Sequence, residues 1–278
     1  MYGVVDMNYE GNCLSNGQGT MPHDIAEIFD NASFLPGDAE AAQSSATKNY
    51  LIVFTPRSGS SWLGETLTRT KHMGRPNEWI NPEFLPGILA NFCRCGPAQY
   101  ISQLQERFVS PIGVFGMQAT PGQLALFSKY ADISWLFSEF SIIYLTRRDL
   151  GAQAVSLYKA TETGYFHATQ EKTKTIEEKL RSVEYDGAKI SRWATHILNQ
   201  EQWAETNFAA YGVNPLRIEY EDLTRGPGVV INRIARFVGV RDLNLDRLPS
   251  TPHRKIADGK SNSLTARFLQ DYPALCAR

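Results

Sequence analysis

The sequence predicts an α/β fold, a three-layer sandwich in which helices cover both faces of a central, mainly parallel β-sheet. Four short apolar runs, at residues 50–55, 112–117, 141–146 and 215–220, have the length and the β-branched and aromatic content of buried strands. Stretches with helical spacing of apolar residues lie between these runs. Such alternation is typical of a parallel sheet, and in parallel sheets ligands bind beyond the carboxyl ends of the strands.

The predicted helices follow from the spacing of their apolar residues. Leu63 and Leu67 lie four residues apart after the first strand, and residues 149–164 continue a second helix after the third strand. A longer helical region covers about 174–210, and we expect it to break near Asp186-Gly187. Helices therefore follow the two strands that end in polar loops.

The chain divides into two predicted parts. Residues 1–48 form an N-terminal extension, partly flexible, in which "DIAEIFDNASFL" has the pattern of a short amphipathic helix and a turn-rich, polar stretch follows. Residues 49–278 form the functional domain, and 278 residues with 42% hydrophobic content are enough for a full core.

Composition narrows the class of function. The net charge of -1 argues against general binding of nucleic acid or of an anionic membrane surface. We expect no integral membrane segment, because the apolar runs are far too short, and the N-terminus lacks the basic and apolar regions of a signal peptide. The four cysteines have no zinc-like spacing. A cytoplasmic protein with reduced thiols and no metal is the expectation.

The loop after the first strand reads "TPRSGSSW" and predicts an anion site. Gly59 lets the backbone approach a ligand closely, and the free N–H groups at the start of the following helix favour negative charge. Arg57 adds a permanent, forked cation. The candidate ligand-binding residues of this loop are Arg57, Ser58, Gly59, Ser60, Ser61 and Trp62.

The same loop differs from the phosphate loop of kinases and ATPases. That motif, G-x-x-x-x-G-K-[ST], needs a second glycine and a lysine, and both are missing here. A P-loop kinase or NTPase with a degenerate loop remains an alternative, as does a nucleotide-binding protein without catalysis. A plain strand–turn–helix junction with a surface arginine would also explain the residues of the loop alone.

A second loop repeats this arrangement after the third strand. Arg147 and Arg148 follow the strand directly, and Ser156 lies on the next helix, nine residues after Arg147 and eight after Arg148. This pattern indicates a second anion site at a neighbouring strand end. The alternative is a surface ion pair with Asp149.

Several segments in the same order resemble one family. "TPRSGSSWL" resembles the 5′-phosphosulfate loop of sulfotransferases, in the arginine form of the bacterial branch that contains the trehalose 2-sulfotransferases. "GRPNEWI" at 74–80, "GVFGMQ" at 113–118 and "TRRDLGAQAVSLYKATETG" at 146–164 are similar to further motifs of that branch. The resemblance covers about residues 50–165, continues more weakly through "IEYEDL" at 218–223, and leaves out residues 1–45.

The resemblance implies a P-loop NTPase-like sulfotransferase fold and a reaction. The co-substrate would be 3′-phosphoadenosine 5′-phosphosulfate (PAPS), and the acceptor a hydroxyl of a carbohydrate, glycolipid or small alcohol. Arg57 would contact the 5′-phosphosulfate and stabilise charge on the leaving group. Arg147 or Arg148, with Ser156, would hold the 3′-phosphate. Glu78 occupies the position of the family's catalytic base, and we expect Trp79 and Phe84 to make its pocket drier and raise its pKa.

Other features stay open at this point. His72, His167, His196 and His253 are alternative bases, although none lies in a matching motif. The basic segment 253–267 is either a surface loop or a flap over the nucleotide. "MQATPGQ" at 117–123 lacks the Lys-Leu-Met of the trehalose-type enzymes, which leaves the acceptor undetermined. A homodimer is compatible with the sequence.

Overall fold

The computed structural model describes residues 25–38, 46–166, 170–241, 243 and 259–277. Six strands are present in these ranges: β1 Leu35–Asp38, β2 Lys48–Phe54, β3 Cys93–Arg94, β4 Val114–Ala119, β5 Ser141–Thr146 and β6 Leu216–Glu219. The helices are α1 Ile25–Asp30, α2 Ser60–Arg69, α3 Leu85–Leu89, α4 Pro97–Phe108, α5 Pro121–Phe127, α6 Ser134–Glu139, α7 Leu150–Thr163, α8 Lys174–Ser182, α9 Gly187–Ala210, α10 Tyr220–Arg225, α11 Pro227–Phe237, α12 Gly259–Asp271 and α13 Pro273–Cys276.

The main sheet is parallel and confirms the predicted fold class. Its four strands are arranged in the order β4-β2-β5-β6. They correspond to the four apolar runs of the sequence. The chain leaves β2 toward β4 on one side and later returns to β5 on the other side. This reversal opens a crevice at the carboxyl ends of the strands, where ligands bind in folds of this type.

Both faces of the sheet are buried, which explains why its strands are almost continuously apolar. Along β2, Leu51 and Val53 belong to the core on one face, while Tyr50, Ile52 and Phe54 belong to the core on the other. Helices α1, α3, α4, α5 and α6 contribute to the first core, and α2 and α11 to the second. The three-layer arrangement follows directly.

A glycine in β4 allows the second core to close. Gly116 pairs with Tyr50 in the sheet register, and a Cβ at this position would lie 2.3 Å from the Tyr50 ring. The Tyr50 ring therefore covers the glycine. Its hydroxyl donates to the carbonyl of Met73 at 2.7 Å and anchors the segment that leads to Glu78.

A third cluster joins α7, α9 and α12 beside the sheet. The predicted break of the long helical region is confirmed, since α8 ends at Ser182 and α9 begins at Gly187. The Asp186 carboxylate caps α9 by accepting from the Lys189 N–H at 2.9 Å. This cluster fixes α7, the helix that follows the second predicted anion loop.

Two local expectations differ from the structure. Residues 259–267, predicted as a loop or flap, belong to helix α12, because Leu264 and Phe268 pack into the third cluster; the rest of that segment, residues 253–258, lies outside the described residues. Strands β1 and β3 form a small parallel sheet that the sequence analysis did not predict. Among the described helices, none has the length and apolarity needed to cross a membrane.

The N-terminal extension contains the expected short helix. In α1, Ile25, Ile28 and Phe29 are buried in the first core. The Phe29 ring meets the Tyr100 ring edge-on at 5.6 Å. The helix therefore packs against the sheet domain, and the boundary at residue 48 stays a prediction.

Candidate active site

The loops after all four main strands lie at one edge of the sheet. Phe54 at the end of β2 pairs with Leu145 of β5, and Thr146 pairs with Glu219 at the end of β6. On the other side of β2, Val53 pairs with Ala119 at the end of β4. The two predicted anion loops therefore begin side by side.

The loop after β2 turns sharply before α2. Arg57 has φ 65° and Gly59 has φ 88°, so two residues within three adopt left-handed conformations. The Ser58 hydroxyl donates to the Thr55 carbonyl at 2.7 Å and closes the turn internally. A Cβ on Gly59 would lie 2.9 Å from the Tyr220 ring. Glycine is needed here for both its conformation and its size.

Helix α2 begins at this turn with its backbone N–H groups directed at the loop. Gly59 is the N-cap residue and provides no side chain to cap the helix. Ser60 is buried, whereas Ser61 and Trp62 are half-buried, and Trp62 packs against the second core. The first-turn N–H groups and the helix dipole favour an anion at this end of α2.

Arg57 lies against α7 and the segment that follows it. Its Nε donates to the Ser156 hydroxyl at 3.0 Å, and its guanidinium also donates to the Phe166 carbonyl. Burial, followed by the positive charge of Arg147 and partly offset by Tyr220, lowers the pKa of Arg57 to about 10. The structure thus brings Arg57, Arg147 and Ser156 together. The resemblance assigned Ser156 to the 3′-phosphate, and in the structure its hydroxyl accepts from Arg57.

Gln153 fixes the loop to α7, and the sequence analysis did not single it out. Its fully buried amide donates to the Thr55 hydroxyl at 2.9 Å and to the Pro56 carbonyl at 2.7 Å. Gln153 and Ser156 are three residues apart, so they lie on the same side of α7. The only sequence signal was the glutamine within "GAQAVS".

The two arginines after β5 have different environments. The Arg147 guanidinium lies 4.7 Å from the centre of the Tyr220 ring, and its NH1 approaches the Arg57 carbonyl at 3.5 Å. Arg148 forms an ion pair with Glu219, and its side chain is 55% exposed. Of these two arginines, Arg147 therefore contacts the loop after β2, whereas Arg148 pairs with the end of β6. 

Acidic residues order the start of α7. The Glu221 carboxylate accepts from the backbone N–H of Arg148 at 3.1 Å and of Asp149 at 3.3 Å. Asp149 caps α7 by accepting from the Ala152 N–H at 2.8 Å. Among the described residues, the acidic partner of Arg148 is Glu219 instead of Asp149, so the alternative surface pair of the sequence analysis is not the one observed.

Glu78 lies on a segment held between α2 and β4. A Cβ on Gly64 of α2 would lie 2.8 Å from the Pro76 carbonyl, and the Gln118 N–H of β4 donates to the Asn77 carbonyl at 3.0 Å. One oxygen of Glu78, Oε2, accepts from Asn81 at 2.8 Å and from Gln123 at 2.9 Å. This segment connects Glu78 to the carboxyl edge of the sheet.

The environment of Glu78 raises its pKa above the ordinary glutamate value. Burial raises its pKa, the hydrogen bonds from Gln123 and Asn81 oppose this rise, and the charge of Glu83 adds to it. The two aromatic neighbours differ in burial, since Trp79 is buried and its ring stacks on Phe108 at 4.3 Å, whereas Phe84 is 41% exposed. A carboxyl group with a raised pKa suits proton transfer near neutral pH.

The alternative bases have other partners or lie outside the described residues. His72 Nδ1 contacts the Thr70 carbonyl at 2.6 Å, and His196 Nε2 contacts the Gln200 amide at 2.6 Å. Burial lowers the pKa of His196. His167 and His253 are not among the described residues. In the part of the chain that the structure covers, no group of three or more His, Cys, Asp or Glu side chains is arranged to hold a metal.

Comparison with known proteins agrees with this geometry. The pattern that defines the family described as Stf0 sulphotransferase matches residues 49–271. The chain is also 23% identical to trehalose 2-sulfotransferase from Mycobacterium tuberculosis (strain ATCC 35801 / TMC 107 / Erdman) over 272 residues, which cover 84% of this chain and 98% of the relative. The match begins within β2 and includes Glu78 and both predicted anion loops. The chain therefore belongs to the Stf0 sulphotransferase family.

Proposed function

We propose that this chain transfers a sulfuryl group from PAPS to a hydroxyl group of a carbohydrate, a glycolipid or a small alcohol. The observation that carries the proposal is the meeting of Arg57 and Arg147 at adjacent strand ends, beside the N-terminus of α2. The positive charge of Arg147 lowers the pKa of Arg57, so the two cations repel each other, and an anion with negative groups at both ends relieves this repulsion. A 3′,5′-bisphosphorylated nucleotide has that charge distribution.

The residues of the chain fit the chemistry of such a donor. Helix α2 begins directly after the left-handed turn at Gly59, so its N-terminus favours the sulfated 5′ end, and Arg57 provides a forked positive group there. Arg147 provides the cation for the 3′ end, with Ser156 on the adjoining helix. When bound, PAPS supplies an electrophilic sulfur whose leaving group is a phosphate.

The chain then has two tasks. Arg57 and the first-turn N–H groups of α2 stabilise the negative charge that develops on the leaving oxygen. Glu78 accepts the proton of the attacking hydroxyl, and its raised pKa suits that role. Because the name of the relative specifies a sulfated disaccharide, trehalose is the first acceptor to test.

We also propose a cytoplasmic location. Cys93, Cys95 and Cys276 are free thiols, and burial, with a smaller contribution from Cys93, raises the pKa of Cys95 to about 11. Thiols persist in a reducing compartment. A single chain is sufficient for the site as described, so a homodimer is not required by the proposal.

Binding and transfer measurements test the function together. We expect 3′-phosphoadenosine 5′-phosphate to bind in isothermal titration calorimetry with EDTA present, and radiosulfate to pass from PAPS to trehalose or to another member of a panel of sugars, glycolipids and alcohols. Binding of Mg-ATP in preference to the bisphosphate would support the alternative of a degenerate kinase or NTPase. Binding of the bisphosphate without transfer to any acceptor would support a non-catalytic nucleotide-binding protein.

A further inference from the structure

Gln123 contacts Glu78 although 45 residues separate them. It lies in the first turn of α5, directly after β4, in the segment "MQATPGQ" that differs from the trehalose-type enzymes. Its Nε2 donates to Glu78 Oε2 at 2.9 Å, and Asn81 Nδ2 donates to the same oxygen at 2.8 Å. Both hydrogen bonds therefore reach one oxygen of the carboxyl group.

Backbone donors determine which way each amide points. The Thr120 N–H donates to Gln123 Oε1 at 2.9 Å, and the Glu83 N–H donates to Asn81 Oδ1 at 3.0 Å. Since each carboxamide has one oxygen and one NH₂ group, the NH₂ groups must face Glu78. An NH₂ group only donates, so Glu78 Oε2 has to act as an acceptor toward both.

This arrangement makes the two oxygens of Glu78 chemically different. A proton on Oε2 would face two donors and break at least one hydrogen bond, whereas a proton on Oε1 would leave both intact. We propose that Gln123 is a positioning residue for sulfuryl transfer, which, together with Asn81, keeps Oε2 an acceptor and makes Oε1 the oxygen that receives the proton. The proposal rests on the proposed function, in which Glu78 is the base.

The proton transfer balances with the displacement. The acceptor oxygen forms its bond to sulfur while the bond between sulfur and the phosphate oxygen of the nucleotide breaks, and the electron pair of that bond leaves with the nucleotide. The proton of the acceptor hydroxyl ends on Glu78 Oε1. Gln123 itself exchanges no proton.

Gln123 also has an electrostatic effect on Glu78. Burial raises the pKa of Glu78, and its hydrogen bond from Gln123 is the first effect that opposes this rise. Helix α5 and strand β4, "PGQLALF" and "VFGMQA", contain no charged residue. The charged side chains of the Glu78 segment and of the packed helices α2 and α4 are Glu65, Arg69, Arg75, Glu83, Glu106 and Arg107.

Of these charged side chains, Glu83 is the one that acts on Glu78. Glu65 and Arg69 form a pair at 2.5 Å, Arg75 lies over the Phe108 ring, and Arg107 donates to the Asn91 carbonyl. Glu83 raises the pKa of Glu78 further. Loss of the Gln123 donor should therefore raise that pKa again.

Two substitutions remove the donor in different ways. Gln123→Glu preserves an oxygen for the Thr120 N–H and thus the capping box of α5, in which Thr120 also accepts from the residue 123 N–H at 3.1 Å. It places a second carboxyl beside Glu78, and two adjacent carboxyls titrate as a coupled pair with one pKa raised. Gln123→Met removes the donor without adding charge.

The matched control is Thr120→Val. It removes the hydroxyl that caps α5 and keeps both the backbone N–H of residue 120 and the contact between Gln123 and Glu78. A loss of helix capping should therefore appear in the control, whereas a change in the titration of Glu78 should not.

The experiment is a ¹³C NMR titration of protein labelled at the glutamate δ-carboxyl, in which the Glu78 signal is the one missing from Glu78→Gln. We expect the pKa of Glu78 to rise by about one unit or more in Gln123→Glu, by a smaller amount in Gln123→Met, and to stay unchanged in Thr120→Val. The acidic limb of the transfer rate should move to higher pH by the same amounts. Affinity for 3′-phosphoadenosine 5′-phosphate should stay within a few-fold of wild type.

The outcomes separate this inference from the proposed function. A Glu78 titration that is the same in wild type and in both Gln123 variants, or that moves equally in Thr120→Val, overturns the role of Gln123. Full transfer activity in Glu78→Gln instead overturns Glu78 as the base, whatever Gln123 does. If Gln123→Met does not fold, Gln123→Glu, which preserves the helix cap, decides the result.

Discussion

The two arginines after β5 allow a sharp test of which residue holds the 3′-phosphate. Arg147 lies over the Tyr220 ring and approaches the carbonyl of Arg57, whereas Arg148 pairs with Glu219 and is 55% exposed. We predict that Arg147→Ala weakens binding of 3′-phosphoadenosine 5′-phosphate selectively. Arg148→Ala serves as the matched control, since it removes the same charge one residue away.

The expected loss of bisphosphate affinity in each variant follows from the environment of the arginine that is removed. A charge-assisted hydrogen bond contributes about 1.5–3 kcal/mol, so loss of the Arg147 contact should weaken the bisphosphate about 10–150-fold. An exposed ion pair contributes about 0–1 kcal/mol, so Arg148→Ala should change affinity less than about five-fold. Adenosine 5′-phosphate lacks the 3′ group, and its affinity should stay within a few-fold of wild type in both variants.

Calorimetry with both nucleotides at one salt concentration provides the measurement. The ratio of the two dissociation constants is the decisive quantity, because a general distortion of the site weakens both ligands. An equal loss of both ligands in Arg147→Ala would mean that Arg147 supports the loop at Arg57 and does not read the 3′ group. A selective loss in Arg148→Ala would move the phosphate site by one residue.

The remaining predictions concern rate and stability. Arg57→Ala should lower transfer of radiosulfate about 100–1000-fold, because a donor to the leaving group is lost; near-normal transfer by a folded variant would contradict this role. Glu78→Gln should lower the rate about 100–10,000-fold with unchanged bisphosphate affinity. The base acts when deprotonated, so the wild-type rate should rise with pH through an apparent pKa above the ordinary glutamate value, and this limb should be absent from the variant. Gly116→Ala should lower the free energy of unfolding by about 1–3 kcal/mol in urea titrations, because its Cβ would overlap the Tyr50 ring; Gly96→Ala, which faces open space, is the control.

The sequence predicted those parts of the fold that depend on local patterns. The β-branched and aromatic runs identified all four strands of the main sheet, because strands buried on both faces are apolar throughout. The turn signal Asp186-Gly187 located the break between α8 and α9. The strand order was not predictable in this way, since it depends on which strands pair across the sheet and no local pattern records that choice.

For the candidate site, the sequence predicted residues that lie in one short segment, but not contacts between segments that are distant in the chain. Arg57, Gly59 and Arg147 were proposed from the sequence because each lies in the loop that follows a predicted strand. Gln123 was missed as a partner of Glu78, because their contact exists only when β4 lies beside β2. The different environments of Arg147 and Arg148 were also unpredictable. Neighbouring residues after a strand point in different directions, and the register between β5 and β6 decides which of the two arginines meets Glu219.

The two predicted anion loops are joined through α7. Gln153 and Ser156 of this helix hold the Pro56 carbonyl and the Arg57 side chain, and the same helix begins directly after Arg147. A left-handed conformation costs a non-glycine residue about 1–2 kcal/mol, and Arg57 adopts it at φ 65°. The contacts with α7 hold this conformation in place before any ligand arrives. Binding of an anion at one loop therefore stabilises a backbone that is already attached to the other, and the affinity for a ligand with charge at both ends should exceed what either end provides alone.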